Sequence, residues 1–356
     1  MANDSGIGTY IRNLVPRIAV ARADWRFTLV GHAAALRTLG WADLRNVELR
    51  DCTAPIYSLR EQAALRLHLD ADLVWSPHWN IPLLYRGPLV VTVHDVAHLA
   101  LRDVVRGPLK RGYARVMFTA VGRRANAIIC DSDFTRRELR RHVPRVRAEP
   151  VVVPLGVGAE WHTGRSGERP HPRPYVVYVG NVKPHKNLGA LVRAFADIAA
   201  DVPHDLVIVG RREGMRTTDT QVQERAATLG DRIVFTGELP ADLLRQYVAW
   251  ADALVLPSLY EGFGLPPLEA MAAGCPTLVS RAGSLPEVCG DASLYCDPLD
   301  VADVGRQLIR LLRDESLQED LRTRGRAHVA AYTWERSAER TLAVLDGAMA
   351  GALARR

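Results

Sequence analysis

Short runs of apolar, often β-branched residues recur along this chain with helix-length segments between them, and that alternation leaves few folds open. In the first half Phe27–Val30, Leu73–Trp75, Leu89–Val93, Ala127–Cys130 and Val151–Val153 read as buried strands. In the second half Tyr175–Val179, Leu206–Val209, Ile233–Thr236, Leu254–Leu256 and Thr277–Val279 do the same. Strands that are apolar on both faces need cover on both faces, which parallel sheets with helical crossovers supply. The expected class is α/β, with doubly wound parallel sheets. The alternation is interrupted by Gly158–Pro174, rich in Pro, Gly and charge. A chain of 356 residues is long enough for two domains. Residues 1–160 are expected to form an N-terminal domain, 161–174 a linker, and 175–333 a C-terminal domain. The segment 334–356 reads as a terminal helix that packs on the second domain or crosses back to the first. Two such domains are expected to face a ligand cleft at the carboxyl ends of their strands.

Hydrophobic residues make up 48% of the chain, the balance of a soluble globular protein, and no run of eighteen or more apolar residues occurs. The first residues lack the basic and apolar regions of a secretory signal. Five cysteines, odd in number and without a C-x-x-C pair, suit a reducing compartment and argue against disulfides or a structural zinc. The expected location is cytoplasmic. Residues 1–164 carry a net charge of +8 and the remainder −2, with much of the excess between Arg102 and Arg147. A solvated helix face and a peripheral contact with an anionic membrane at its inner face compete evenly to explain that excess. Nucleic acid is disfavoured, because no aromatic platform, zinc finger or basic zipper accompanies the charge.

The Gly-rich turn Ser5-Gly6-Ile7-Gly8 reads as the opening of a helix from Thr9 to about Ala21. Such turns ordinarily follow a strand, and the four residues before this one do not make one. A first strand of the first domain is therefore expected to be missing, in an upstream segment of about ten residues.

The sharpest signal is Ser258-Leu259-Tyr260-Glu261-Gly262-Phe263-Gly264-Leu265-Pro266-Pro267-Leu268-Glu269. It follows the strand Leu254–Leu256 and opens a helix, where Pro266 and Pro267 suit the first turn. Gly262 and Gly264 allow close backbone approach to a ligand, and free N–H groups at a helix start favour an anion. An acid opposing the helix dipole would explain Glu269, but not the glycines or the second glutamate.

This segment resembles the Glu–seven residues–Glu signature of the retaining GT-B glycosyltransferases of family 4, and further segments match that family in order. They are Gly6-Ile7-Gly8-Thr9-Tyr10, Val93-His94-Asp95, Ser132-Asp133-Phe134-Thr135, Gly180-Asn181-Val182-Lys183-Pro184-His185-Lys186-Asn187 and Gly283-Ser284-Leu285-Pro286-Glu287. The resemblance implies two Rossmann-like domains in the GT-B arrangement and a nucleotide-sugar donor. It implies that Lys186 meets the diphosphate, that Glu261 contacts donor sugar hydroxyls, and that Glu269 holds the ribose hydroxyls. The backbone of Phe263, Gly264 and Leu265 would bind phosphate and sugar, with Leu239 near the base. Gly8 would approach the diphosphate from the first domain. Where the family often carries an arginine beside its lysine, this chain has Asn181 and His185, with Lys183 as a substitute cation.

The resemblance places His94, at the end of Leu89–Val93 in what would be the acceptor-side domain 1–160, beside the transferred sugar, to bind or polarise it, with His78 and His98 lining the acceptor side. Asp70-Ala71-Asp72 has a metal-binding look but precedes a strand, away from the functional end, and no metal site is expected. No cofactor beyond the donor substrate is expected. The wording of the signature resembles bacterial mannosyl- and rhamnosyltransferases, which favours GDP-mannose as donor and a glycan or lipid-linked acceptor. The reaction implied is retaining and metal-independent. A nucleotide-sugar epimerase and a non-catalytic sugar-nucleotide-binding protein are the alternatives.

Overall fold

The computed structural model describes residues 6–101, 107–210 and 228–354. The chain forms two compact units, residues 1–156 with 334–356, and residues 157–333. The two ends of the second unit lie side by side, where the Val157 N–H donates to the Tyr332 carbonyl (3.0 Å) and Val157 bridges Thr333.

The second unit is one six-stranded sheet. Its strands are β7 (Tyr175–Val179), β8 (Asp205–Val209), β9 (Ile233–Gly237), β10 (Ala253–Leu256), β11 (Thr277–Ser280) and β12 (Leu294–Cys296). All neighbours pair parallel, in the spatial order β12-β11-β10-β7-β8-β9. That order reverses between β7 and β10, and helical crossovers cover both faces, so β8 and β10 are buried along their whole length. The helix Leu188–Ile198 shows why: Leu188, Leu191, Val192, Phe195 and Ile198 recur at helical spacing and are all buried.

The first unit holds β1 (Phe27–Gly31) and β2 (Val47–Asp51) as a two-stranded parallel ladder. A separate four-stranded parallel sheet has the order β3 (Val74–Ser76), β4 (Leu89–Val93), β5 (Ala127–Cys130) and β6 (Pro150–Val152). The helix Gly6–Ala21 bonds towards both sheets. The Tyr10 hydroxyl meets Thr92 Oγ1 of β4 at 3.0 Å, while the Asn46 amide, just before β2, donates to the Ala19 carbonyl at 2.9 Å. The terminal helix Trp334–Leu353 belongs to this unit, through fully buried Trp334 and the ion pairs Arg17–Glu335 and Arg22–Asp346.

Three expectations need correction. Residues 161–174 are not a free linker but lie on the second unit, because His171 and Arg173 bond to the buried Asp205 carboxylate at 2.6 and 2.7 Å. The first helix starts at Gly6 rather than Thr9, since glycine takes helical angles as readily as turn angles, leaving Gly8 buried within the helix. Two strands, β2 and β12, had been left out. Ser5 and the strand expected upstream lie outside the described residues.

Candidate active site

In the second unit the loops after β7 and β10 adjoin at the point where the strand order reverses, which is where doubly wound sheets place ligands. After β7 the chain passes Gly180 and Asn181 to a short 3-10 turn, Pro184–Lys186. Asn187 then takes a left-handed conformation (φ 57°), which aims its side chain across the sheet. Its amide donates to the carbonyls of Pro257 (3.1 Å) and Pro298 (2.8 Å), and the Leu259 N–H donates to the His185 carbonyl (2.7 Å). So stitched, the two loops bring Lys186 Nζ within 2.6 and 2.7 Å of the two Glu261 carboxylate oxygens. The Ser258 hydroxyl donates to the same carboxylate at 2.6 Å. Glu261 is buried, and this ammonium with its hydroxyl compensates the carboxylate's lost hydration.

The loop after β11 supports Glu261 from behind. Gly283 has φ 64°, and a Cβ there would meet the Glu261 backbone nitrogen at 2.7 Å, so only glycine lets the segments approach. The Ser284 N–H and hydroxyl donate to the carbonyls of Glu261 (3.1 Å) and Phe263 (2.6 Å). The helix Leu265–Ala272 then begins at Gly264 with no capping side chain and with prolines in its first turn. The amides of Phe263, Gly264 and Leu265 have no acceptor among the described residues. Oriented, unsatisfied N–H groups at a helix start form an anion-binding feature.

The Glu269 side chain, on the first turns of that helix, makes no ion pair or hydrogen bond among the described residues. Burial, with the Glu160 carboxylate beside it, pushes its carboxyl up to about 8. A carboxyl group kept this short of partners is well suited to hydrogen-bond with hydroxyl groups from a ligand. Asn181 and Leu239 follow β7 and β9, so both sit at the same carboxyl end of the sheet, Asn181 exposed and Leu239 half-buried.

His94 follows β4 in the first unit. Its Nδ1 lies 2.6 Å from Asp131 Oδ2 and its Nε2 donates to the Pro77 carbonyl at 3.0 Å. Burial pulls the imidazole down, but the charge and hydrogen bond of Asp131, with the Pro77 carbonyl, hold it above its ordinary value. Both ring nitrogens are therefore engaged within the unit. Ser132 caps the helix Asp133–His142 by accepting the Thr135 N–H at 3.1 Å. Asp70-Ala71-Asp72 lies at the amino end of β3, opposite to His94.

A family model described as "Glycosyltransferase Family 4" matches residues 5–161, and one described as "Glycosyl transferases group 1" matches residues 161–328. The chain belongs to the family 4 glycosyltransferases. It is 28% identical to "O-antigen chain mannosyltransferase B" of Escherichia coli, over 95% of each chain. It is likewise 28% identical to "Serotype-specific mannosyltransferase WbdA" of Escherichia coli, over 76% of this chain but only 34% of that much longer protein. Among solved structures, Anabaena HepE in complex with UDP and glucose matches at a TM-score of 0.77 and 18% identity, over 97% of each chain. The fold of this glycosyltransferase is accordingly GT-B, with two Rossmann-like domains.

The glycosyltransferase holds several site residues that sequence reasoning passed over. Ser258 and Asn187 stood inside quoted motifs, but their partners lie 3 and 70 residues away along the chain. Asp131 had a usable signal, an acid directly after the apolar strand Ala127–Cys130.

Proposed function

We propose that this glycosyltransferase moves a hexose, with mannose from GDP-mannose favoured, to a glycan or lipid-linked acceptor. The transfer retains the anomeric configuration and needs neither a metal nor a cofactor beyond the donor. The observation that carries this reading is the unsatisfied set on one loop and helix start: three amides without acceptors, Glu269 without donors, and the Lys186 ammonium beside them. A nucleoside diphosphate has the complementary groups, anionic oxygens for the amides and ammonium and a pair of ribose hydroxyls for the carboxylate. When Lys186 turns to the diphosphate, Glu261 loses its cation and its carboxylate becomes free for donor sugar hydroxyls.

In the front-face route the bond from the anomeric carbon to the phosphate oxygen breaks as charge grows on the diphosphate. The acceptor oxygen bonds to the same face of that carbon, and its proton passes to the departing phosphate oxygen. The relatives' names favour mannose. A thermal-shift panel of GDP-mannose, UDP-glucose and dTDP-rhamnose tests the donor, since a ligand bound to the folded state raises the melting temperature. GDP-mannose should give the largest shift, and proton NMR of the product should show the donor's own anomeric configuration, with chelator present. No shift with any donor, or an inverted product, overturns the reading.

Work at an anionic membrane surface from the cytoplasmic side belongs to the same proposal. On the helix Pro108–Arg124, Leu109 and Val116 are exposed (88% and 57%), next to Lys110, Arg111 and Arg115, whose side chains pair with nothing among the described residues. By contrast Arg136, Arg137, Arg140 and Arg141 on the neighbouring basic helix are all paired with carboxylates. Sedimentation with phosphatidylglycerol vesicles, and not with phosphatidylcholine vesicles, is expected, with binding lost in the triple variant K110E/R111E/R115E. Equal sedimentation of variant and parent removes this part.

A further inference from the structure

At the carboxyl ends of β2, β3 and β4 the first unit gathers aromatic and polar side chains that the donor chemistry leaves unused. Tyr57, in the loop after β2, is a non-glycine residue in the left-handed region (φ 65°). Bulky side chains adopt that conformation only when their surroundings impose it. Here the Tyr57 N–H donates to Glu61 Oε2 at 2.8 Å. The same oxygen accepts from the Asn80 amide at 2.9 Å, and the Tyr113 hydroxyl donates to Asn80 Oδ1 at 2.5 Å.

The outcome of this network is a stack of rings. Phe118 lies against Trp79 with centroids 5.0 Å apart, and Tyr57 lies on Trp79 at 5.4 Å and 20°. Phe118 and Trp79 are buried, whereas Tyr57, at the end of the stack, is 48% exposed. An aromatic face kept open by a strained and fully braced backbone is an unusual thing to leave to solvent.

Two polar groups stand in the loops after β3 and β4, His78 with its ring 6.0 Å from that of Tyr57, and Asp95. The Asn80 N–H donates to His78 Nδ1 at 3.2 Å, which places the ring proton on Nε2, and Nε2 has no acceptor among the described residues. Burial, with His94 and His98 nearby, presses His78 down to about 3, so it is a neutral donor. The Ala97 N–H donates to Asp95 Oδ1 at 2.9 Å, while Oδ2 has no partner among the described residues. After burial and Glu61, Asp95 is a further cause of the raised Tyr57 phenol, which puts its carboxylate within electrostatic reach of the ring.

We propose that Tyr57, His78 and Asp95 form a pyranoside subsite, the seat of the sugar that accepts the transferred hexose. The electron-rich Tyr57 face takes the C–H side of the sugar ring, while His78 Nε2–H donates to one hydroxyl and Asp95 Oδ2 accepts from another. Neither the signature segment nor the donor residues supply this contact. The acceptor role rests on the transferase reading above; the binding of a pyranoside does not.

Saturation-transfer NMR on the whole chain tests it, with the methyl α-glycosides of mannose, glucose, galactose and rhamnose as probes. Ring protons of at least one probe should receive saturation. Tyr57→Ala should raise its Kd about tenfold, and Tyr57→Phe should leave it within about twofold. Asp95→Asn, which keeps the Oδ1 contact, should weaken binding about fivefold. The nucleotide-sugar thermal shift, which reads the second unit, serves as the folding control and should be unchanged in each variant. Wild-type affinity in Tyr57→Ala, or no saturation of any probe by the wild type, overturns the subsite. A wild type that binds a pyranoside but no nucleotide sugar supports the subsite and overturns its acceptor role.

Discussion

Lys186–Glu261 in the second unit and His94–Asp131 in the first are both cation–carboxylate pairs set just past the carboxyl ends of parallel strands, yet they are built for different tasks. The lysine pair spans two loops that Asn187 stitches together, at the strand-order reversal of one continuous six-stranded sheet. The histidine pair joins the residues that directly follow β4 and β5, in a unit whose strands form two separate sheets. An ammonium is a permanent point charge near neutrality, whereas an imidazole is a switch. The second unit therefore presents a fixed positive charge suited to a diphosphate, and the first presents one whose strength depends on its carboxylate and on pH.

The strongest way to break that comparison is to remove the fixed charge. Lys186→Ala should lower turnover by about two to three orders of magnitude, as losses of preorganised charge stabilisers do. Steady-state kinetics with the donor chosen by thermal shift checks it, and turnover within tenfold of the parent would remove Lys186 from the chemistry.

Asp131→Asn should give a smaller effect with a pH signature. In the folded protein His94 titrates above its ordinary 6.5 because of Asp131 and the Pro77 carbonyl, against the pull of burial. Its ion pair therefore contributes stability that is full below 6.5 and is lost as pH rises through the raised value. Without that carboxylate burial is opposed by the Pro77 carbonyl and the Asp95 charge alone, and the imidazole should deprotonate earlier. The activity deficit should grow between pH 6 and pH 8, by about tenfold for each unit the titration falls. An imidazole titration by NMR that is unmoved in the variant would show that Asp131 does not hold the charge.

The two pairs also show what could be read in the sequence. Lys186, Glu261 and His94 each stood out alone, as charged or titratable groups beside strand ends, because buried apolar runs announce their strands. The strands that escaped are those without such runs. In β2 polar residues alternate with apolar ones (Val47-Glu48-Leu49-Arg50-Asp51) and none is fully buried, while β12 has only three residues. Partners escaped for another reason. Lys186 meets Glu261 across 75 residues because β7 and β10 are neighbours, a fact of strand order that no local pattern encodes. The segment 161–174 looked like a linker from its Pro and Gly content, but buried Asp205 draws His171 and Arg173 onto the second unit. Tyr57 carried no signal at all, since its value lies in a left-handed backbone and a stack on Trp79.

The mildest test concerns Glu269, whose carboxylate meets no cation among the described residues. Its carboxyl stands at about 8 when folded, against an ordinary 4.5, so the folded state favours the neutral acid. Below 4.5 the group is protonated whether folded or not and costs nothing. As pH rises from 4.5 to about 8 the unfolded chain ionises first, stability falls, and the full cost stands above 8. Glutamine cannot ionise, so Glu269→Gln should melt with the parent near pH 4.5 and above it at pH 9, by about 2–4 °C for each kcal/mol relieved. The same variant should lose affinity for the nucleotide, because hydroxyl donors lose a carboxylate acceptor. Higher stability and weaker binding from one substitution is the mark of a group kept strained for its ligand. If the two proteins melt together at pH 9, Glu269 is solvated, and the second unit holds no such carboxylate.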